Sequence, residues 1–297
     1  PGTKISEVKN FSTHLGGSAA NTCVALSQLG VQSDLLTCVS EDAIGEYIFE
    51  KLKEFNVGSN FCRRVKNKFQ TQVAVVETIL KNNQSILYRN NSCDLQLNKN
   101  DIDNINFQDY SAVFISGTTL SSNPSRDAVF YATQKASLLS IPLIIDMDYR
   151  PYNWESDEIK SNIYKKIMNE MDIIIGNDLE FNIADNSTEG FQLAKSFINE
   201  KPSIIIYKMG EKGSTVITKE KEQNFGIFKV EAIKPTGAGD AFNGGFISSI
   251  LQGYSLEESI TRGSANAAIV VTKGGCSSAM PNTDELENFI NQQTMEI

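Results

Sequence analysis

Ala112-Val113-Phe114-Ile115, Pro142-Leu143-Ile144-Ile145, Asp172-Ile173-Ile174-Ile175 and Ser203-Ile204-Ile205-Ile206 are four short runs whose shared pattern decides the fold. Each has the length of a strand and is apolar at consecutive positions, so both of its faces must be covered. Helix-compatible stretches, Arg126 to Leu139 and Glu158 to Met171, lie between them. Strands alternating with helices in this way give right-handed βαβ units. The expectation is an α/β fold: a doubly wound, mostly parallel sheet flanked by helices.

Outward from this core the pattern changes twice. Lys4 to Leu15 and Phe69 to Arg89 read as strands without intervening helices. In the second, Gln72-Val73-Ala74-Val75-Val76-Glu77-Thr78-Ile79-Leu80 leads into Lys81-Asn82-Asn83-Gln84, and Ser85-Ile86-Leu87-Tyr88 returns, which predicts a hairpin. Such strands suit a small β lid over residues 1–15 and 69–90, leaving 16–68 and 91–297 as the α/β core. An ordinary edge hairpin of the main sheet satisfies the same pattern.

The 297 residues are 40% hydrophobic and 21% charged, enough apolar material for a sizeable core. The net charge of -9 makes the body a poor partner for nucleic acid or an anionic membrane. A single histidine, His14, excludes a multi-histidine metal centre. The five cysteines are scattered and form no CxxC, so the expected home is a reducing cytoplasm. No apolar run approaches the roughly 18 residues of a membrane span. Any catalyst must therefore be built from carboxylates, Lys, Arg and backbone amides.

Lys234-Pro235-Thr236-Gly237-Ala238-Gly239-Asp240-Ala241-Phe242-Asn243-Gly244-Gly245-Phe246 carries the clearest chemistry. Gly237 and Gly239 allow a tight turn that exposes N–H groups, and a small-residue helix follows. Such a helix start binds phosphate oxygens, and Asp240 beside it can take the proton of an attacking hydroxyl. An Asp that merely caps a helix is the simpler alternative, which the following AFNGGF disfavours. Near the other end, Leu15-Gly16-Gly17-Ser18-Ala19-Ala20-Asn21 offers a close backbone approach and, in Asn21, a donor and acceptor for a polyol. Alone, that segment could be only a tight turn.

In this order the two segments resemble the two signatures of the PfkB (ribokinase-like) carbohydrate kinases, and the resemblance extends over essentially the whole chain. It implies ATP and Mg²⁺ as cofactors, with a monovalent cation such as K⁺ as a further option. It implies that Asp240 is the base, that Gly237, Ala238 and Gly239 hold the developing charge, and that Gly16, Gly17 and Asn21 meet the sugar. Asn177-Asp178-Leu179-Glu180 resembles the family's NxxE motif, where Glu180 organises Mg²⁺ through water and Asn177 lies near the phosphates. Lys208-Met209-Gly210-Glu211-Lys212-Gly213 resembles the loop lining the nucleotide, which makes Lys208, Gly210 and Gly213 candidates, together with Thr236. Asn266 matches a position bordering the adenine, and His14 falls where relatives tend to have an aromatic residue, which implies packing rather than catalysis. Lid strands in this family pair between subunits, so a homodimer is expected. Family members also begin with a strand carrying a sugar-contacting Asp. The sequence starts at Pro1 within the lid region, so further residues are expected to precede it.

Four segments resemble one branch of the family, the 5-dehydro-2-deoxygluconokinases of inositol breakdown. They are Lys234-Pro235-Thr236 ahead of the glycines, Asp146-Met147-Asp148-Tyr149-Arg150-Pro151-Tyr152-Asn153-Trp154, Tyr88-Arg89-Asn90-Asn91-Ser92-Cys93-Asp94, and Gly275-Cys276-Ser277-Ser278-Ala279-Met280-Pro281. In the third, Asn90 replaces an acid. A small-molecule sugar acid needs local positive charge, and Arg89 and Arg150 suit a bidentate hold on its carboxylate. Either could instead be a surface charge or face phosphates. Lys234 could serve the phosphates or be solvated, and Cys276 reads as a small buried thiol.

The resemblance thus implies ATP-dependent phosphorylation of the terminal C6 hydroxyl of 5-dehydro-2-deoxygluconate. Alternatives are a relative acting on 2-keto-3-deoxygluconate, fructose or ribose, and a sugar-binding regulator without catalysis. A dinucleotide dehydrogenase fails, since no GxGxxG follows an early strand.

Overall fold

The computed structural model describes residues 5–66, 68–77 and 85–296. The chain divides into two compact units, Pro1–Ser92 with Ile227–Glu296, and Cys93–Gly226 with Ile297.

The first unit opens with helix α1 (Ser18–Gln28), which starts from Gly17 at φ 97°. Strand β1 (Thr37–Ser40), helix α2 (Ala43–Glu54) and strand β2 (Cys62–Val65) form a βαβ turn in which Thr37 pairs in parallel with Cys62. Asp42 caps α2 by accepting the Ile44 and Gly45 N–H groups. The expected hairpin is β3 (Val73–Val76) against β4 (Ser85–Tyr88), with Val73 opposite Tyr88. Its expected turn, 81–84, and the strand end at 78–80 lie outside the described residues.

The other expected lid segment differs. Its residues 1–4 lie outside the described residues, Ile5–Glu7 form a short 3-10 turn, and no strand follows before α1. Residues 9–14 are exposed, and among the described residues they join no ladder. Without a partner strand, water serves their backbone groups as well as a sheet would.

The second unit contains α3 (Lys99–Asp103), β5 (Val113–Ser116), α4 (Ser125–Leu138), β6 (Leu143–Asp146) and α5 (Asp157–Met168). It continues through β7 (Ile173–Asn177), α6 (Asp178–Asp185), α7 (Gly190–Phe197) and β8 (Ile204–Lys208), then β9 (Ser214–Ile217) and β10 (Glu222–Phe225). The four apolar runs are β5 to β8, each starting one residue later than expected. They pair in parallel, and β9 and β10 add antiparallel strands, giving the order β10-β9-β8-β7-β6-β5. Every residue of β6 and the first four of β7 are buried, which is why isoleucine serves on both faces.

The first unit is completed by α8 (Ala238–Leu251), α9 (Leu256–Val271) and α10 (Thr283–Gln292). The paired glycines of α8 have separate uses. A Cβ on Gly244 would lie 2.2 Å from the Ala25 Cβ of α1, and one on Gly245 would lie 2.9 Å from the Arg262 carbonyl oxygen of α9. Only glycine lets both neighbours come this close. Leu15, Val24, Leu52, Val270 and Met280 fill the core beneath. Among the described residues no helix is long and apolar enough to cross a membrane.

Candidate active site

In the first unit, α1 and α8 bring their N-termini together, and Asp240 sits in the first turn of α8. Ser18 Oγ donates to its Oδ1 at 2.8 Å, and Asn21 Nδ2 donates to its Oδ2 at 2.7 Å. Each carboxylate oxygen thus accepts from a side-chain donor, and a carboxylate oxygen can accept more than one. Both helix N-termini favour negative charge at this point.

The turn before α8 is set by Gly237, at φ 88°, a conformation that a side chain would strain. Ala238 N–H donates to the Pro235 carbonyl at 3.3 Å. Of the three amides expected to hold charge, Ala238's is therefore turned inward. Those of Gly237 and Gly239 have no acceptor among the described residues. Gly16 and Gly17 are exposed, with open space where a Cβ would stand. Arg89 follows β4 and is buried.

Three placements in this unit differ from expectation. Lys234 is neither solvated nor open: it is buried and donates to the Thr236 carbonyl at 2.7 Å and the Val270 carbonyl at 3.1 Å. Asn266 is fully buried, its Nδ2 donating to the Ala241 carbonyl at 2.6 Å, so it ties α9 to α8 and lies on no accessible surface. His14 is exposed rather than packed, and its ring nitrogens reach Ser278 Oγ at 3.2 Å and Ser12 Oγ at 3.1 Å.

The Gly275–Pro281 segment, noticed in the sequence only as a branch marker, holds the glycine loops. Ser277 is buried, with its Oγ 2.7 Å from Asn21 Oδ1 and 2.6 Å from the Leu15 carbonyl. One hydroxyl proton serves these two acceptors in turn. Cys276 lies under Gly237, and burial raises its thiol pKa while Lys234 opposes the rise. A protonated thiol there packs and does not attack.

In the second unit the four parallel strands end in polar residues: Ser116 on β5, Asp146 on β6, Asn177 on β7 and Lys208 on β8. In open α/β sheets the carboxyl ends of the strands are where ligands bind. Lys208 Nζ donates to Asp146 Oδ2 at 3.3 Å, and Ser116 Oγ donates to Asp148 Oδ2 at 2.7 Å. Asn177 and Glu180 form a capping box at the start of α6: the Asn177 side chain accepts the Glu180 N–H at 2.9 Å and Glu180 Oε2 accepts the Asn177 N–H at 2.8 Å. Glu180 Oε1 also accepts the Tyr149 N–H at 3.2 Å. Burial, and next Asp146, push the Glu180 carboxyl up to about 8, while Lys208 pulls the other way.

Arg150 bridges Asp148 at 2.8 Å and donates to the Tyr149 carbonyl at 2.7 Å, so its guanidinium is already engaged. The Trp154 and Tyr164 ring centroids lie 5.5 Å apart. Gly210 and Gly213 take φ 59° and 81° in the β8–β9 turn, where a Cβ on Gly213 would meet the Phe225 carbonyl at 2.0 Å. Asp146 and Asp148 lie inside a segment from which the sequence singled out only Arg150. Their spacing along the end of β6 was the available signal.

Among the described residues no group of three or more His, Cys, Asp or Glu is arranged to cage a metal. Mg²⁺ needs no such cage, because it keeps several waters and leans on substrate phosphates. Asp146, Asp148 and Glu180 gathered near Lys208 suit a water-mediated hold of that kind.

Sheet and flanking helices make the fold ribokinase-like. A crystal structure of fructokinase from Vibrio cholerae O395 with fructose, ADP and calcium ion bound matches with a TM-score of 0.84 at 21% identity, covering 95% of this chain and 93% of that one. A model of the pfkB family of carbohydrate kinases matches residues 1–283, and the chain belongs to that family. It is 34% identical over 301 residues to the 5-dehydro-2-deoxygluconokinase of Photobacterium profundum, covering 99% of this chain and 91% of that protein. It is also 34% identical over 299 residues to the enzyme of the same name from Clostridium perfringens, covering 98% and 88%.

Proposed function

We propose that the chain transfers the γ-phosphoryl group of ATP to the C6 hydroxyl of 5-dehydro-2-deoxygluconate, giving the 6-phosphate and ADP. The observation that carries this reading is Asp240, held by Ser18 and Asn21 at the start of a glycine-opened helix. Relatives of one name at 34% identity and near-full coverage support the sugar acid.

In this mechanism Asp240, oriented by Ser18 and Asn21, accepts the hydroxyl proton. A carboxylate is a weak base, which suffices where the hydroxyl becomes acidic late in a loose transition state. Gly237 and Gly239 N–H groups meet the charge that develops on the transferred group. Gly16, Gly17 and Asn21 receive the sugar, and Arg89 its carboxylate. Arg150, tied to Asp148, orders the acidic segment after β6. In the second unit, Asn177, Lys208, Gly210 and Gly213 serve the nucleotide. Asp146, Asp148 and Glu180 would hold Mg²⁺ through its waters, and that ion supplies neutralisation of phosphate charge. The hairpin carries exposed Val73, Val76, Ile86 and Tyr88, which suit a homodimer through the lid. A single solution mass at the monomer value would end that part of the reading.

The test is ADP release with ATP and Mg²⁺ across 5-dehydro-2-deoxygluconate, 2-keto-3-deoxygluconate, fructose and ribose. The first should lead in kcat/KM, over fructose and ribose by at least about tenfold, since a buried group built for a carboxylate rejects neutral sugars. Preference for another sugar overturns the substrate, and no ADP release with any of them overturns the reaction.

A further inference from the structure

Lys234 is only 3% exposed, and both hydrogen-bond partners of its ammonium are main-chain carbonyls, Thr236 at 2.7 Å and Val270 at 3.1 Å. Burial pulls its pKa down, and Cys276 and Asp240 work against that pull. A buried ammonium is costly, so its surroundings need an explanation. Val270 lies in the last turn of α9, where the helix end is partly negative, and its carbonyl also accepts the Lys273 N–H at 3.3 Å. Thr236 immediately precedes Gly237, the residue that caps α8.

The Thr236 carbonyl and the Gly237 N–H belong to one planar peptide and point in opposite directions. A cation on the carbonyl polarises that peptide and makes the N–H a stronger donor. The ammonium therefore acts on the same peptide whose Gly237 N–H has no acceptor among the described residues. Carbonyl oxygens are also what a bare potassium ion uses in place of water. Here two of them, at the opening of the loop, already answer to a side chain.

We infer that Lys234 is a tethered monovalent cation, a positioning residue that sets and polarises the Gly237–Asp240 loop and removes the need for free K⁺. This rests on the phosphoryl-transfer reading above. Lys234 touches neither reactant: it acts through the Thr236–Gly237 peptide.

The experiment compares kcat of the full chain in Na⁺, K⁺ and NH₄⁺ salts at equal ionic strength, for the unchanged protein, Lys234→Ala and Lys234→Met. The unchanged protein should show the same kcat in all three. Lys234→Ala should lose about thirtyfold or more in kcat, a fraction of what deleting a charge-stabilising donor costs. K⁺ or NH₄⁺ should restore part of that loss, which Na⁺ should not, and Lys234→Met, whose side chain fills the space, should not respond. An unchanged protein that turns over only with K⁺ overturns the inference while leaving the kinase reading intact. So does a Lys234→Ala variant with full kcat, or one whose loss no cation repairs. An unchanged protein without turnover on any sugar overturns both. If Lys234→Ala does not fold, the cation dependence of the unchanged protein decides alone.

Discussion

Asn21 Nδ2 donates to Asp240 Oδ2 at 2.7 Å, joining the first turns of two helices whose residues lie 219 positions apart. With Ser18 on the other oxygen, the bond fixes the plane of the carboxylate before any hydroxyl arrives. Asp240→Asn keeps the size of the group and removes the base. It should cost about 10³-fold in kcat, within the usual range for a general base, and leave ATP affinity nearly unchanged. Steady-state kinetics with calorimetry of ATP binding separates the two. If Asp240→Asn kept a tenth of the normal kcat, the role given to Asp240 would be wrong.

Ser277 decides which end of the Asn21 amide faces Asp240. Its hydroxyl, 2.7 Å from Asn21 Oδ1, leaves Nδ2 as the atom turned toward the carboxylate. Ser277→Ala removes that preference and leaves buried acceptors short of a donor, a cost of about 1–3 kcal/mol. Where the loss falls on Asn21, kcat should drop roughly tenfold with KM for ATP unchanged. A variant with normal kcat and only a lower Tm would mean that Ser277 supports the fold alone.

The parallel strands were legible because burial on both faces leaves a run such as Ile173-Ile174-Ile175 no polar position to hide behind. The glycine loops were legible because φ values of 97° at Gly17 and 88° at Gly237 admit few other residues. Strands β1 and β2 were not, since Thr37-Cys38-Val39-Ser40 and Cys62-Arg63-Arg64-Val65 mix polarity over four residues each. Their pairing is a tertiary event across α2. The expected strand over Lys4 to Leu15 failed for the converse reason: its composition permits a strand, but none of the described residues pairs with it. In the site, the motifs located Asp240 and Glu180 but could not give the direction of a side chain. Lys234 turning in toward two carbonyls, and Arg150 turning onto Asp148, depend on what surrounds them.

Gly244 tests whether the α1–α8 contact carries the site. An added Cβ would lie 2.2 Å from the Ala25 Cβ, and neither helix backbone can yield without moving. Overpacking of this kind costs typically about 1–3 kcal/mol, so Gly244→Ala should lower Tm by roughly 2–10 °C. Because the same shift separates Asn21 from Asp240, kcat should fall too, while Gly253→Ala should leave kcat alone: Gly253 has open space around it and φ 85°, so strain there is local. Equal kcat in both variants would uncouple the helix contact from the site.

Glu180 ties stability to pH. Its folded carboxyl is pushed up to about 8 from 4.5, so the native protein holds a proton that the unfolded chain releases. Stability from this group is complete below about pH 4.5 and is lost as pH rises toward 8, because the native state then binds more protons than the unfolded one. Glu180→Gln cannot titrate, and its amide keeps one of the two backbone N–H contacts that Glu180 makes. The variant should therefore be less stable at pH 5 yet lose less Tm between pH 5 and 8 than the unchanged protein. Both should be measured with chelator present, since a bound divalent cation favours the ionised carboxylate and would mask the difference. Parallel Tm curves across that window would show that Glu180 is ionised throughout.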